Sequence, residues 1–89
     1  SAAWQRMQNE RKAQRKRIRE LRREAAEYRH LVGEITRQRN ALLMQGGALT
    51  REDFETRARA AARRTFLEDQ LADAQLDLEA LSAEHADLA

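Results

Sequence analysis

Three features of this chain could do chemistry. They are two histidines, His30 and His85, a glycine pair, Gly46 and Gly47, inside LLMQGGALTREDFETR (42 to 57), and a basic run, RKAQRKRIRELRRE (11 to 24). Two imidazoles make a metal site only when further ligands converge on the same point. These two fall in different halves of the sequence, so each reads as a helix residue, His30 solvated and His85 a tolerated polar member of a packing seam. Adjacent glycines can cradle a phosphate, but that chemistry needs Gly-x-Gly-x-x-Gly or Gly-Lys-Ser/Thr, and neither pattern occurs. Cysteine is absent, which removes thiolate nucleophiles, Cys-based zinc sites and disulfides. No serine or threonine has a base placed beside it by spacing. The expectation is a chain that is not an enzyme and carries no cofactor and no metal.

The basic run is the strongest lead. On a helical wheel Lys12, Arg15, Lys16, Arg19, Arg22 and Arg23 fall on one outward stripe, while Glu10, Glu20, Glu24, Glu27 and Glu34 fall elsewhere. A row of cations neutralises phosphates and releases counterions, which gives sequence-independent, salt-sensitive binding of nucleic acid. The bland alternative is a solvated helix face braced by pairs such as Lys16 with Glu20 and Arg23 with Glu27. An acidic protein or a membrane surface would suit the same charge. No aromatic side chain lies in the run to stack on bases, which counts against single strands.

The elements that must carry these residues can be read from periodicity. The chain has 89 residues, 36% of them charged, with four aromatic side chains (Trp4, Tyr28, Phe54, Phe66) and no proline. Such a composition also fits disorder, but the apolar spacing argues for order. Counting Trp4 as heptad position a, the a and d positions run Trp4, Met7, Arg11, Gln14, Ile18, Leu21, Ala25, Tyr28, Val32, Ile35, Arg39 and Leu42, nine of the twelve apolar. That is a coiled-coil seam. The second half repeats the spacing at Leu67, Leu71, Ala74, Leu78, Leu81, His85 and Leu88. Upstream of it the apolar set moves to Phe54, Ala58, Ala61 and Thr65, which predicts a stutter near residue 65.

Between the halves stands a boundary. Gly46 suits the left-handed position that ends a helix. Thr50 is a good N-cap with Asp53 as its capping-box acid, and Leu49 and Phe54 hold the positions of a hydrophobic staple. Glu52 and Asp53 favour the positive end of the second helix dipole. The expected fold is all-α, a two-helix antiparallel coiled-coil hairpin with helices over about 3–45 and 51–88. Two hairpins pairing into a four-helix assembly, and a parallel homodimer of helix 1, are the architectural alternatives; the latter stacks Arg11 and Arg39 on their own copies.

Folding back sets residues whose numbers sum to 95 or 96 opposite one another. It matches Tyr28 with Leu67, Ala25 with Leu71, Leu21 with Ala74, Ile18 with Leu78, Met7 with Leu88, Ile35 with Ala61 and Leu42 with Phe54. Residues 1–40 carry 12 basic and 5 acidic side chains and residues 41–89 carry 5 and 10, so a basic arm lies beside an acidic one. Arg17 is expected near Asp77 and Arg29 near Glu68. Arg11 and Gln14 make poor core, so the open end is expected to fray unless Trp4 and Met7 dock on a partner or a second hairpin. At the turn, Leu43, Met44 and Leu49 are candidates for contact with a protein partner.

The stretch LLMQGGALTREDFETRARAAARRTFLEDQLADAQLDLEAL (42 to 81) resembles the turn and second helix of the coiled-coil arm of large serine recombinases, the phage-type integrases. In that family a Gly-rich turn is followed by Leu/Ile-Thr-Arg/Lys-Glu and an Ala/Leu/Glu-rich helix. The resemblance implies an arm whose tip meets another subunit's arm, with Leu43, Met44 and Leu49 as the contacts. The arginine-rich first helix departs from the family pattern, and neither a catalytic serine domain nor zinc cysteines occur here.

The chain starts without Met and stops inside a periodic pattern, so residues 1–89 read as a single hairpin cut from a larger protein. No apolar run reaches the ~20 residues needed to cross a bilayer, and SAAWQRMQNERK lacks the apolar centre of a secretory signal. The expectation is a soluble, intracellular chain whose function is protein interaction or oligomerisation, as a homodimer of hairpins. A nucleic-acid-binding arm is the alternative.

Overall fold

The computed structural model describes residues 1–88, the side chain of Leu88 excepted. Two helices, α1 (Ala2–Met44) and α2 (Arg51–Leu88), fold back on one another as an all-α antiparallel hairpin. The rod measures 68 × 15 × 14 Å, and the 43 residues of α1 account for its length at about 1.5 Å each. Helix α1 opens at Ser1, whose hydroxyl accepts from the Trp4 N–H at 3.1 Å.

The turn is built from three local devices. Gln45 ends α1, and Gly46 follows with φ +80°, a conformation that costs any residue bearing a Cβ. The Gly46 N–H then reaches the Leu43 carbonyl at 3.1 Å and the Gly47 N–H the Leu42 carbonyl at 2.9 Å. These are the two bonds of a Schellman cap, which satisfy carbonyls the helix end would leave open. Leu42 closes over Gly47 so tightly that a Cβ there would lie 2.3 Å from Leu42 Cδ1. Three residues on, Thr50 and Asp53 form the capping box that starts α2.

The core is thin and lies around the middle of the rod, with Val32 and Ala60 buried on its tip side. Ile18, Leu21 and Ala25 of α1 pack against Leu67 and Ala74 of α2, with Tyr28, Leu71 and Leu78 at the margins. Leu21 and Leu67 are 2% and 1% exposed, so each contributes about 1.5–3 kcal/mol by burial. All of the expected α1 seam positions are buried or half-buried apart from Leu42, which is 38% exposed beside the turn. The expected pairing of Met7 with Leu88 lies outside the described residues.

Helix α2 corrects the expected stutter. The phase set by Leu67, Leu71, Ala74, Leu78, Leu81 and His85 continues upstream without a break through Arg64, Ala60, Arg57 and Asp53, all buried or half-buried. Phe54, Ala58 and Thr65 are exposed instead, and Ala60 rather than Ala61 is the buried alanine that shares a groove with Ile35. An unbroken helix laid against one straight partner keeps its phase, and arginine tolerates the inward positions because its methylenes cover apolar surface while its head reaches out. Arg57 does this: its Nε donates to Thr36 Oγ1 at 3.1 Å. Phe54, expected opposite Leu42, is 54% exposed, with the Arg39 guanidinium over its ring at 4.9 Å.

Charge pairing between the arms is sparser than expected. Arg29 meets Glu68 at 3.8 Å, the single ion pair between helices within 4.0 Å among the described residues. Arg17 makes none with Asp77, and Lys16 makes none with Glu20, whereas Arg23 and Glu27 pair at 2.8 Å. Long exposed side chains gain little by holding one geometry, so charge here orients the arms more than it binds them.

Candidate functional site

The six cations of the α1 stripe, Lys12, Arg15, Lys16, Arg19, Arg22 and Arg23, are all exposed. Arg23 is held by Glu27; among the described residues none of the other five comes within 4.0 Å of a carboxylate. Arg15, Arg19 and Arg22 form one wall of a shallow groove over Ile18 and Leu78, and Gln75 and Glu79 of α2 form the other. Glu79 is the one acid on that wall. Asp77 and Glu84 stand two and three heptads beyond Arg63, whose groove with Tyr28, Leu31 and Ile35 opens on the opposite flank of the rod. The segregation seen on the α1 wheel is therefore carried by both helices: one broad face of the open half is basic, and the acids crowd the other.

At the turn the structure separates the three expected contacts. Met44 is 88% and Leu43 50% exposed, the last two residues of α1 and fixed by the cap that follows them. Leu49 is half-buried and lines a groove with Ile35, Leu42 and Thr56, turned towards the seam. Phe54 joins Leu43 and Met44 as exposed apolar surface. Apolarity alone placed it in the core; its position just outside the α2 phase is the signal that would have placed it on the surface.

Asp53 is the titratable group whose environment is most closely built. The Thr50 backbone N–H donates to its carboxylate at 2.7 Å, and this bond first, then the Thr50 side chain, holds the carboxyl below the usual aspartate range. Glu34 is lowered too, by its hydrogen bond from Arg37 and the charge of that guanidinium, with His30 adding a smaller effect.

The open end is organised by its histidine. His85 Nδ1 lies 2.7 Å from Arg11 Nη1, and the Trp4 ring rests on the imidazole at 5.0 Å between centroids. Arg11 donates, so Nδ1 is the unprotonated nitrogen of the ring. Gln14 donates to the Ala74 carbonyl at 3.0 Å. The two poor-core positions of the sequence thus become a small polar network that ties the helix ends together, and Trp4 and Met7 are half-buried. His30, by contrast, is exposed and meets Glu34 at 3.8 Å. Among the described residues no three His, Cys, Asp or Glu side chains converge as a metal site would need, and no helix is long and apolar enough to cross a membrane.

Phe66 and Leu76 are two surface residues that the sequence reading passed over. Phe66 is 49% exposed with Arg63 above its ring at 5.1 Å, and Leu76 is 63% exposed. Both lie off the seam spacing, which is the only trace they leave in the sequence. No protein-family model, curated protein or solved structure matches this chain.

Proposed function

We propose that this chain is a non-catalytic coiled-coil arm that assembles protein chains, meeting a second copy of itself at its tip. One observation carries the reading. Of the seven large apolar side chains left exposed among the described residues, four, Leu42, Leu43, Met44 and Phe54, gather at the turn. Exposed apolar surface concentrated at one place on a charged rod marks a point of contact.

A second copy suits that surface for two reasons. Near the turn Arg39 and Arg51 stand against Glu52, Asp53 and Glu55, so two tips approach without strong repulsion. The cap also holds Leu43 and Met44 on a helix end rather than a loose loop, which lowers the ordering cost of docking. The resemblance of residues 42–81 to recombinase arms points to the same contact, with Leu43 and Met44 as its residues and Leu49 as support behind them. The open end, where Trp4 and Met7 pack in their own hairpin, is left out of this interface.

Sedimentation equilibrium tests the reading. The wild-type chain is expected to form a dimer at micromolar concentration. A Leu43→Glu/Met44→Glu variant is expected to be monomeric with unchanged helix content, and Trp4→Ala is expected to remain dimeric. A wild-type monomer at several hundred micromolar, or a dimer lost with Trp4→Ala and kept in the tip variant, overturns it.

A further inference from the structure

We infer that the basic face of the open half is a binding surface for the phosphate backbone of duplex nucleic acid, separate from the tip and independent of pairing there. The first reason is availability. Lys12, Arg15, Lys16, Arg19 and Arg22 are exposed and free of carboxylate partners within 4.0 Å among the described residues, whereas Arg23, Arg29, Arg37 and Arg51 each have one. Arg6, Arg17, Arg59 and Arg63 are exposed without such a partner too, but they lie off this face; what sets the row apart is that five open cations share it.

The second reason is the opposite wall. In an antiparallel hairpin of a basic and an acidic arm, the acids could fold over the cations and occupy them. Here the α2 wall beside Arg15, Arg19 and Arg22 offers Gln75, Leu78 and a single acid, Glu79. The remaining charge of α2 in this half sits away from the groove, so the positive field over the row is not cancelled at short range, where it is screened least.

Dimensions decide the mode of binding. From Lys12 to Arg22 the row covers about 15 Å of helix, at about 1.5 Å per residue. One strand of a duplex presents a phosphate every 3.4 Å of axis, so the row faces about four of them. The hairpin is 15 × 14 Å across its Cα atoms alone, wider than the ~12 Å major groove. It therefore lies over the backbone and does not enter the groove to read base edges. Contacts to phosphate position a protein without specifying sequence. With no aromatic side chain between Trp4 and Tyr28, the face has nothing on which unpaired bases could stack, which favours duplex over single strand.

Fluorescence anisotropy with a labelled 24-base-pair duplex of arbitrary sequence, at 50 to 200 mM salt, tests this. About four phosphate contacts predict a log–log salt slope of about −3.6 and a loss of affinity of roughly 150-fold across that range. The Arg15→Gln/Arg19→Gln/Arg22→Gln variant is expected to flatten the slope by about 3. An Arg51→Gln/Arg59→Gln/Arg63→Gln control, equal in net charge and off the face, is expected to leave it unchanged. Two duplexes of unrelated sequence are expected to bind alike, and a single strand of equal length more weakly. Absence of binding at 50 mM salt overturns the proposal, as does an equal loss in the two variants. So does binding of anionic phospholipid vesicles or polyglutamate in place of the duplex, which would mark the face as a membrane or acidic-protein surface.

Discussion

Thr50 and Asp53 hold each other at the start of α2: the Asp53 carboxylate accepts from the Thr50 N–H at 2.7 Å, and the Thr50 hydroxyl accepts from the Asp53 N–H at 3.2 Å. Each satisfies a donor that the first turn of a helix leaves without a partner. Thr50→Ala removes half of this exchange and is expected to cost about 1 kcal/mol, read as a lower midpoint in urea. The carboxyl adds a dependence on pH. Its folded pKa is depressed, so the folded chain binds that proton less readily than the unfolded chain does. Its contribution is complete above the unfolded aspartate value and fades as pH falls below about 4 and through the lower folded value. Glu34, depressed by Arg37, has the same sign. Circular dichroism of Asp53→Asn is therefore expected to show less stability than wild type at neutral pH and a shallower loss on acidification; parallel curves would remove Asp53 from the acid response.

The two glycines of the turn are needed for different reasons, and substitution separates them. At Gly46 nothing lies within 4 Å of a built Cβ, yet φ is +80°, so Gly46→Ala is opposed by backbone conformation alone, at about 1–2 kcal/mol. At Gly47 the obstacle is Leu42, with Cδ1 at 2.3 Å, Cγ at 2.8 Å and the carbonyl oxygen at 3.0 Å. Gly47→Ala forces that side chain off the turn, a loss of about 1–3 kcal/mol. A double-mutant cycle with Leu42→Ala distinguishes the two: part of the Gly47→Ala loss is expected to be recovered, and none of the Gly46→Ala loss. Equal recovery in both would mean that the steric account of Gly47 is wrong.

Burial along the seam sorts the leucines of α2. Leu67 is 1% exposed against Leu21, whereas Leu76, nine residues on, is 63% exposed. Leu67→Ala is expected to cost about 2–5 kcal/mol through lost burial and the cavity left behind. Leu76→Ala is expected to stay within about 0.5 kcal/mol. In a hairpin with so small a core the first loss is a large part of the total stability. Thermal melts of the two variants give the comparison directly, and similar midpoints would contradict the register.

Much of this fold was legible in the sequence because it rests on local chemistry. Gly46, Thr50 and Asp53 announce a turn through backbone requirements that hold in any context, and the α1 seam repeats long enough to exceed chance. The tip half of α2 was less legible because its inward positions are polar. Asp53, Arg57 and Arg64 carry the phase there, while Phe54, Ala58 and Thr65 offered a more apolar set one position over. A pattern of hydrophobicity does not register that arginine can line a seam with its methylenes and pass its head to Thr36. The basic row was visible as spacing, but whether acids would cover it depended on which flank of α2 faced it. Likewise Leu43, Met44 and Leu49 read alike in sequence, and only the cap geometry turns the first two outward and the third towards the seam.

The open end gives the last test, because Trp4, the one tryptophan of the chain, reports on it. Its ring rests on His85, which in turn accepts from Arg11. Two atoms of this contact, Arg11 Nε and His85 Nε2, are buried without a hydrogen-bond partner. Such groups cost free energy unless the packing around them is worth keeping. His85→Ala removes both the acceptor and the surface under Trp4, so the guanidinium of Arg11 is left facing the seam alone. The helix ends are then expected to separate over their last turns, with Trp4 emission moving to longer wavelength and amide exchange rising near residues 4 to 11. The midpoint of global unfolding is expected to move little, because the core at Leu21 and Leu67 lies several turns away. His85→Leu keeps apolar surface beneath the ring and is expected to restore the emission while leaving Arg11 without its acceptor. If both variants leave Trp4 emission and exchange unchanged, the Trp4, His85 and Arg11 contact does not hold the open end closed.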